Sequence, residues 1–120
     1  MLQIVFNEIS AAEISRLDTL TQLDLFDSFK VHEEDLENLD DKRFGKLDRD
    51  GKTFYRFRTD EYRIYFEVAN KHVIVHRVMH KNTLADFLFR SKMPLAEDEA
   101  LSQSKHFWKL IDEGRNARKM

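Results

Sequence analysis

The sequence predicts an α+β fold, with helices before and after a small antiparallel sheet. Apolar residues from Ile14 to Phe29 recur at three-residue steps, close to the helical period. Between residues 53 and 80 the period becomes two, which is typical of strands. Since 120 residues suffice for one core, we expect a single domain, with a core over about 1–92 and a helical extension over 93–120.

The first half is predicted to contain one strand and a helical segment. Residues 1–6 form a short apolar strand, and Ser10 is expected to N-cap the helix, with Glu13 completing a capping-box pattern. The segment that follows is one long helix, or two short helices with a break near Asp18. A turn-rich connector is predicted over 45–51, where two glycines flank charged residues.

A three-stranded meander is predicted next, over 53–59, 62–69 and 72–80, because two-residue loops separate these segments. One face of the first two strands is apolar or aromatic and should pack on helices, whereas the other face carries arginine and is expected to be exposed. Helices are predicted over 83–90 and 97–113.

The end of the last helix is assigned to Gly114. Trp108 and Phe107 on this helix have two interpretations. They either form an interface, such as that of a homodimer, or Trp108 closes the core, and the second interpretation is favoured.

Composition excludes several classes of function. The chain has no Cys, which removes disulfides, Cys–zinc sites and thiol catalysis and agrees with a cytoplasmic location. No apolar run approaches the ~18 residues of a membrane span, and the N-terminus lacks a signal-peptide pattern. With 3 Gly there is no phosphate-cradling glycine loop, so no cofactor is predicted.

Charge is distributed unevenly along the chain, although the net charge is −2. Residues 1–50 carry 6 Lys/Arg and 13 Asp/Glu, residues 51–92 carry 9 and 4, and residues 93–120 carry 5 of each. The middle segment therefore has a local charge of +5, which favours a polyanionic ligand on that part of the surface.

Three arginines on the predicted sheet are the main candidates for binding chemistry. Arg56 and Arg58 share a strand face, and Arg63 and Tyr65 follow just beyond the turn. Guanidinium groups suit phosphate oxygens, and an aromatic ring can stack on an RNA base. The alternative, which the residues alone favour, is a solvated outer face with ordinary ion pairs, for example between Arg58 and Glu67.

Three histidines follow on the third strand, where His72, His76 and His80 are expected to share a face. Residues four apart on a strand lie about 13 Å apart, too far to share a metal ion, so no metal site is predicted. His80, and less strongly His76, are candidates for nucleic-acid contacts or proton donation. A structural histidine is an equal alternative for each.

The stretch Tyr55-Arg56-Phe57-Arg58-Thr59-Asp60-Glu61-Tyr62-Arg63-Ile64-Tyr65-Phe66-Glu67-Val68 resembles the core of RelE/ParE toxins of toxin–antitoxin systems. Val78-Met79-His80-Lys81 fills the place of the strand end in that pattern. The resemblance covers about residues 44–82 and is topological over 1–43. It implies an N-terminal helical hairpin packed on a small antiparallel sheet, with an extra C-terminal helix here.

The ribonuclease members of that family imply roles for single residues. They cleave mRNA on the ribosome without a metal, by attack of a ribose 2′-OH on the adjacent phosphate. Arg63 would stabilise the cleaved phosphate, Arg56 and Lys81 would supply further cations, and His80 would be a general acid. The expected RNA-binding residues are Arg58 (or a structural arginine), Tyr65, His76 and Phe87, which can stack but cannot transfer a proton.

The resemblance also implies partners and alternatives. A cognate antitoxin would neutralise the protein, and mRNA on the ribosome would be its target. One alternative is a ParE-like inhibitor of DNA gyrase. Another is a non-catalytic interaction module, in which Phe107 and Trp108 could bind an antitoxin or a second copy.

Overall fold

A computed structural model describes residues 1–89 and 96–120, without the side chains of residues 86–89. The elements within those residues are, in chain order, β1 (Gln3–Phe6), α1 (Glu8–Ser15), α2 (Thr19–Ser28), α3 (Glu33–Glu37), β2 (Phe44–Arg49), β3 (Lys52–Arg58), β4 (Tyr62–Ala69), β5 (His72–His80), α4 (Lys81–Phe89), α5 (Glu97–Ser102) and α6 (Lys105–Arg115).

The sheet has the strand order β1-β5-β4-β3-β2. Strands β2 to β5 form an antiparallel meander, and β1 pairs in parallel with β5. The predicted α+β class and its three meander strands are confirmed. The connector predicted over 45–51 is wrong, because most of it belongs to β2, where Leu47 is buried and the flanking Lys46 and Asp48 are exposed. The turn itself is confined to Asp50 and Gly51, both with positive φ.

Helix α1 begins earlier than predicted. Its N-cap is Asn7, whose Oδ1 accepts a hydrogen bond from Ser10 N at 2.7 Å, while Ser10 Oγ accepts one from Asn7 N at 3.0 Å. The assignment of Ser10 as N-cap is therefore wrong, because Asn is an equally good cap and lies three residues upstream. The break at Asp18 is confirmed, since Asp18 caps α2.

Both faces of the sheet are covered. Helices α1 and α2, with the segment that follows, pack over a core rich in phenylalanine that includes Phe29, Phe44, Phe57 and Phe66. On the opposite face, α4, α5 and α6 enclose a second core. The expectation of an exposed arginine-bearing face is therefore wrong, because the C-terminal helices lie over it.

The predicted helix over 97–113 is two helices. It is interrupted at Gln103 and Ser104, and Ser104 Oγ accepts a hydrogen bond from Phe107 N at 3.2 Å as the N-cap of α6. Gly114 lies inside α6 and does not end it. A Cβ there would overlap the backbone carbonyl of His76, so this glycine allows α6 to approach β5 closely.

Trp108 is buried in the second core, as the favoured interpretation predicted. No helix within residues 1–89 or 96–120 is long and apolar enough to cross a membrane.

Candidate functional site

Arg56, Arg58 and Arg63, hereafter the arginine cluster, come together on neighbouring strands. Arg58 on β3 pairs directly with Arg63 on β4, and Arg56 pairs with Tyr65. Arg56 and Tyr65 are both 0% exposed and Arg63 is 8% exposed. The sequence correctly predicted that these side chains share a face, but this face is buried and not solvated.

Two carboxylates from α5 bind the arginine cluster. Glu97 Oε2 lies 3.1 Å from Arg63 Nε and 2.9 Å from Arg58 Nη2, and Glu97 Oε1 accepts a second bond from Arg63 Nη2 at 3.4 Å. Asp98 Oδ1 lies 3.1 Å from Arg56 Nε. Charge-assisted hydrogen bonds from within the same chain thus partly neutralise the cluster, since three guanidinium groups meet two carboxylates.

Backbone carbonyls of the sheet and its loops also hold the guanidinium groups. Arg63 Nη1 donates to Thr59 O at 2.8 Å and to Tyr62 O at 3.1 Å, both at the β3–β4 turn. Arg56 Nη2 donates to Asp41 O at 3.1 Å. These contacts orient the arginines from the sheet side, independently of α5.

Gly45 on β2 provides the space for this arrangement. A Cβ at that position would overlap Arg56 Nη2 and would lie 2.6 Å from Asp98 Oδ2. Only a residue without a side chain therefore lets the guanidinium of Arg56 and the carboxylate of Asp98 meet beside β2. In the sequence this glycine indicates a turn, and its role beside Arg56 was not predicted.

The burial of the site leaves polar atoms without partners. Among the described residues, Arg56 Nη1, Arg58 Nε and Tyr65 Oη are buried and make no hydrogen bond. Burial raises the pKa of the Tyr65 phenol well above its ordinary value, so the phenol stays protonated. The face can therefore accommodate more acceptor oxygens than α5 supplies.

The two carboxylates respond differently to the site. Burial raises the pKa of Asp98 above its ordinary value, although Arg56 acts in the opposite direction. Burial also acts to raise the pKa of Glu97, but Arg63 and Arg58 outweigh it and the pKa is lowered. Glu97 is thus the carboxylate that the arginine cluster holds firmly as an anion.

Part of the site reaches solvent through a surface cavity of about 830 Å³ beside α5. Arg58, Arg63, Glu97 and Asp98 line this cavity, and Lys46 lies at its wall. The Arg58 side chain is 31% exposed and is the most accessible member of the cluster. An anion could approach Arg58 from here, whereas Arg56 is closed off.

The histidines do not share one face, which corrects the prediction. Tyr65 pairs with Arg77 and Phe66 with Val75, so His76 is the extra residue of a β-bulge and the alternation reverses beyond it. His76 lies on the arginine-bearing face, where its Nε2 is 2.8 Å from Glu67 Oε1. His80 lies on the other face, with its ring edge-to-face with Tyr62.

The environment of His76 is enclosed. Burial lowers its pKa below the ordinary value of 6.5, against the opposing effect of the Glu67 carboxylate. Glu67 also accepts a hydrogen bond from Arg115 Nε at 2.8 Å, which ties α6 to the sheet. This arrangement is that of a structural histidine, one of the two alternatives left open by the sequence.

The remaining predicted residues lie outside the arginine cluster. Lys81 is exposed at the first position of α4, and its backbone N–H donates to Glu61 O at 2.7 Å. The side chain of Phe87 is outside the described residues, so its predicted stacking role is untested. No group of three or more metal-ligating side chains converges within the part of the chain that the structure describes.

Sequence reasoning missed Glu97 and Asp98. The available signal was the acidic run Glu97-Asp98-Glu99, which opens a helix after a middle segment of charge +5. It missed the ion pair of Arg77 with Glu13 as well, in which Arg77 Nη2 lies 2.9 Å from Glu13 Oε2. The two residues are 64 positions apart in the sequence, so they meet only in the folded chain.

The fold defined by this sheet and its helices is that of a RelE-like toxin. It is similar to a chain of the RelBE2 toxin–antitoxin complex from Mycobacterium tuberculosis, with a TM-score of 0.51 and 17% sequence identity. The similarity covers 66% of this chain and 96% of that chain, so about a third of this chain has no counterpart there. No protein-family model and no curated protein sequence match the chain.

Proposed function

We propose that this protein is the toxin of a type II toxin–antitoxin system, a metal-independent mRNA endoribonuclease that acts on the ribosome and is neutralised by a cognate antitoxin. The observation that carries the proposal is the convergence of Arg56, Arg58 and Arg63, oriented from the sheet, on a fold of the RelE type.

The chemistry requires cations where phosphate charge develops. A ribose 2′-OH loses its proton as its oxygen attacks the adjacent phosphorus, and the pentavalent intermediate that forms carries additional negative charge. The 5′-oxygen then leaves and takes up a proton. Arg63 and Arg56 would stabilise that charge, with Arg58 and Tyr65 binding the RNA. Lys81 would supply a further cation from the exposed start of α4.

The two histidines predicted to take part lie apart from the arginine cluster or are engaged elsewhere. His80 remains the predicted general acid, but it lies across the sheet from the arginine cluster. His76 is predicted to bind RNA, but it is buried and engaged with Glu67. The arginine cluster is therefore the part of the site that an experiment should address first.

A second function, a non-catalytic interaction module, is favoured by one observation. Arg56 and Tyr65 are fully buried, and each arginine of the cluster is already paired with a carboxylate of α5. In that case the arginines would stabilise the C-terminal helices, and binding to an antitoxin or another protein would be the only function.

Induced expression in bacteria, with mapping of transcript 5′ ends, tests the proposal. We expect the wild-type chain to arrest growth and to create new 5′ ends inside translated codons. Arg63→Gln should abolish both effects at equal protein abundance, because Arg63 is the best-oriented cation of the cluster. The loss of cleavage should be at least about 100-fold.

The matched control is Arg77→Gln. Arg77 is also on a central strand, its side chain is 14% exposed against 10% for Arg63, and it also pairs with a glutamate from a helix. We expect this variant to retain arrest. Arrest without new transcript ends would instead indicate DNA gyrase or another protein target, and the absence of arrest would favour the non-catalytic module.

A further inference from the structure

Helix α5 is a short element that closes the arginine cluster. It has six residues, and its first turn supplies both carboxylates that bind the cluster. We propose that α5 is a detachable intramolecular cover, which keeps an anion-binding face closed until the helix lifts away. The inference rests on the proposed function, because it assigns a form of regulation to the same site.

The arginine cluster does not depend on α5 for its orientation. Arg63 is held by two carbonyls of the β3–β4 turn, and Arg56 by the carbonyl of Asp41. These acceptors belong to the sheet and to the loop before β2. When α5 leaves, the guanidinium groups remain positioned to receive another anion.

Glu97 binds Arg63 as a bidentate anion. Its two carboxylate oxygens accept hydrogen bonds from Nε and Nη2 of Arg63, the geometry in which arginine also binds a phosphate group. Glu97 bridges Arg63 to Arg58 as well. The carboxylate thus stands where a phosphate of a bound nucleic acid would lie.

The arginine-bearing face of the sheet has more hydrogen-bond donors than the carboxylates of α5 accept from. Three guanidinium groups face two α5 carboxylates, and within the described residues Arg56 Nη1 and Tyr65 Oη have no partner although both side chains are fully buried. A cover that leaves such groups unsatisfied is held less firmly than one that completes them, which favours exchange with a ligand richer in oxygen.

The attachment of α5 also differs from that of α6. The N-cap of α5 is Ala96, which makes no side-chain cap hydrogen bond, whereas α6 begins at Ser104 with its own cap. Three buried side chains of α6, Phe107, Trp108 and Ile111, anchor it in the core, whereas α5 contributes Ala100 and Leu101. Because Gln103 and Ser104 interrupt the helix, α5 can lift while α6 stays docked once the hydrogen bond from Trp108 Nε1 to Ser102 O is released.

Arginine labelling provides a test that does not depend on catalysis. We would treat the full chain with phenylglyoxal and measure modification by mass spectrometry for wild type, Glu97→Gln/Asp98→Asn and Glu99→Gln. Glu99 is an exposed neighbour on the same helix, so its variant controls for loss of a negative charge. The double variant should label Arg56 and Arg63 at least about tenfold faster, because two charge-assisted contacts are lost.

Arg77 is the internal reference, since it is held by Glu13 of α1 and not by α5. Its labelling should be the same in all three proteins. If the double variant labels Arg56 and Arg63 no faster than Glu99→Gln does, α5 is a fixed part of the core and the proposal is overturned.

Hydrogen exchange on the wild-type chain tests the same idea without substitutions. The Ala100 amide, which donates to Ala96 O at 2.9 Å, should exchange through a local opening. Amides of β4 should exchange only on global unfolding. Equal opening free energies for α5 and β4 would overturn the proposal.

The cover and the proposed function can fail separately. Faster labelling in a chain that causes neither growth arrest nor new transcript ends would support the cover and reject the endoribonuclease. Unchanged labelling would reject the cover, whatever the result of the expression experiment.

Discussion

The side chain of His76 links the bulge of β5 to both β4 and α6. Its Nε2 contacts Glu67, whose carboxylate also binds Arg115, and Lys119 adds a further positive charge nearby. The other ring nitrogen, Nδ1, is buried without a partner among the described residues. A proton on this imidazole is therefore less favourable in the folded chain than in the unfolded chain.

This environment predicts a loss of stability in mild acid. Since burial lowers the folded-state pKa of His76 below 6.5, the unfolded state binds the proton more tightly. The free energy of unfolding should therefore decrease as the pH falls below about 6.5, by up to about 1.4 kcal/mol per pH unit. Urea unfolding of the wild type between about pH 7.5 and pH 5.5 would measure this decrease.

Two variants distinguish the effect of His76 on the pH dependence of stability from that of another histidine, His106. His76→Gln should reduce the slope over that pH range, whereas His106→Gln should keep it, because His106 is exposed. An equal slope in wild type and His76→Gln would contradict this explanation.

For the arginine cluster, the sequence predicted which side chains share a face but not that this face is buried. The two-residue period placed Arg56, Arg58, Arg63 and Tyr65 on one face, as the structure shows. Their burial could not be predicted, because it depends on α5, which lies more than 30 residues further along the chain. An ion pair formed at that distance leaves no local pattern.

At the scale of elements, the strands of regular period were predicted well and the boundaries set by caps were not. The meander strands β3 to β5 are joined by loops of three and two residues and alternate clearly, so local chemistry defines them. Strand β2 was missed because Gly45 suggested a turn, whereas its function is to make space for Arg56. The interruption after α5 was also missed, because Ser104 lies within a continuous helical pattern.

The N-cap of α6 should be measurable as stability. Ser104→Ala removes the hydroxyl that accepts the Phe107 N–H at 3.2 Å, so we expect a loss of about 0.5–2 kcal/mol in the free energy of unfolding. Urea unfolding followed by far-UV circular dichroism would measure it.

Ser102→Ala is the matched control for this variant. The Ser102 hydroxyl donates to Glu99 O within α5 and caps no helix N-terminus, so its removal should cost less. If both variants lose the same stability, the interruption between α5 and α6 would not be held by the cap.

At the scale of the whole molecule, arginines of the basic middle segment form ion pairs with carboxylates from both ends of the chain. Glu13 of α1 binds Arg77, while Glu97 and Asp98 of α5 bind the arginine cluster. The two ends also meet directly, because Met120 N donates to Phe6 O at 2.9 Å. This organisation supports the expectation that residues 1–120 form one domain, which remains a prediction.

A single folding unit has a direct spectroscopic consequence. Trp108 is the one tryptophan of the chain, and its ring contacts Phe54 of β3. The guanidinium carbon of Arg49 lies 4.3 Å from the centre of the Trp108 ring. Its fluorescence therefore reports the docking of α6, whereas far-UV circular dichroism reports all helices and strands. We expect both signals to change at the same urea concentration, because a small single domain unfolds in one cooperative step.

A tryptophan in the opposite core completes the test. Phe29→Trp in a Trp108→Phe background moves the probe into the phenylalanine-rich core on the other face of the sheet, where Phe29 is buried against Phe57 and Phe66. In this variant too, fluorescence should follow circular dichroism. A Trp108 transition at lower urea than the circular dichroism, with the residue 29 probe unchanged, would mean that the C-terminal helices unfold as a separate unit. The arginine face would then be uncovered at partial denaturation, without any change in the sheet that carries it.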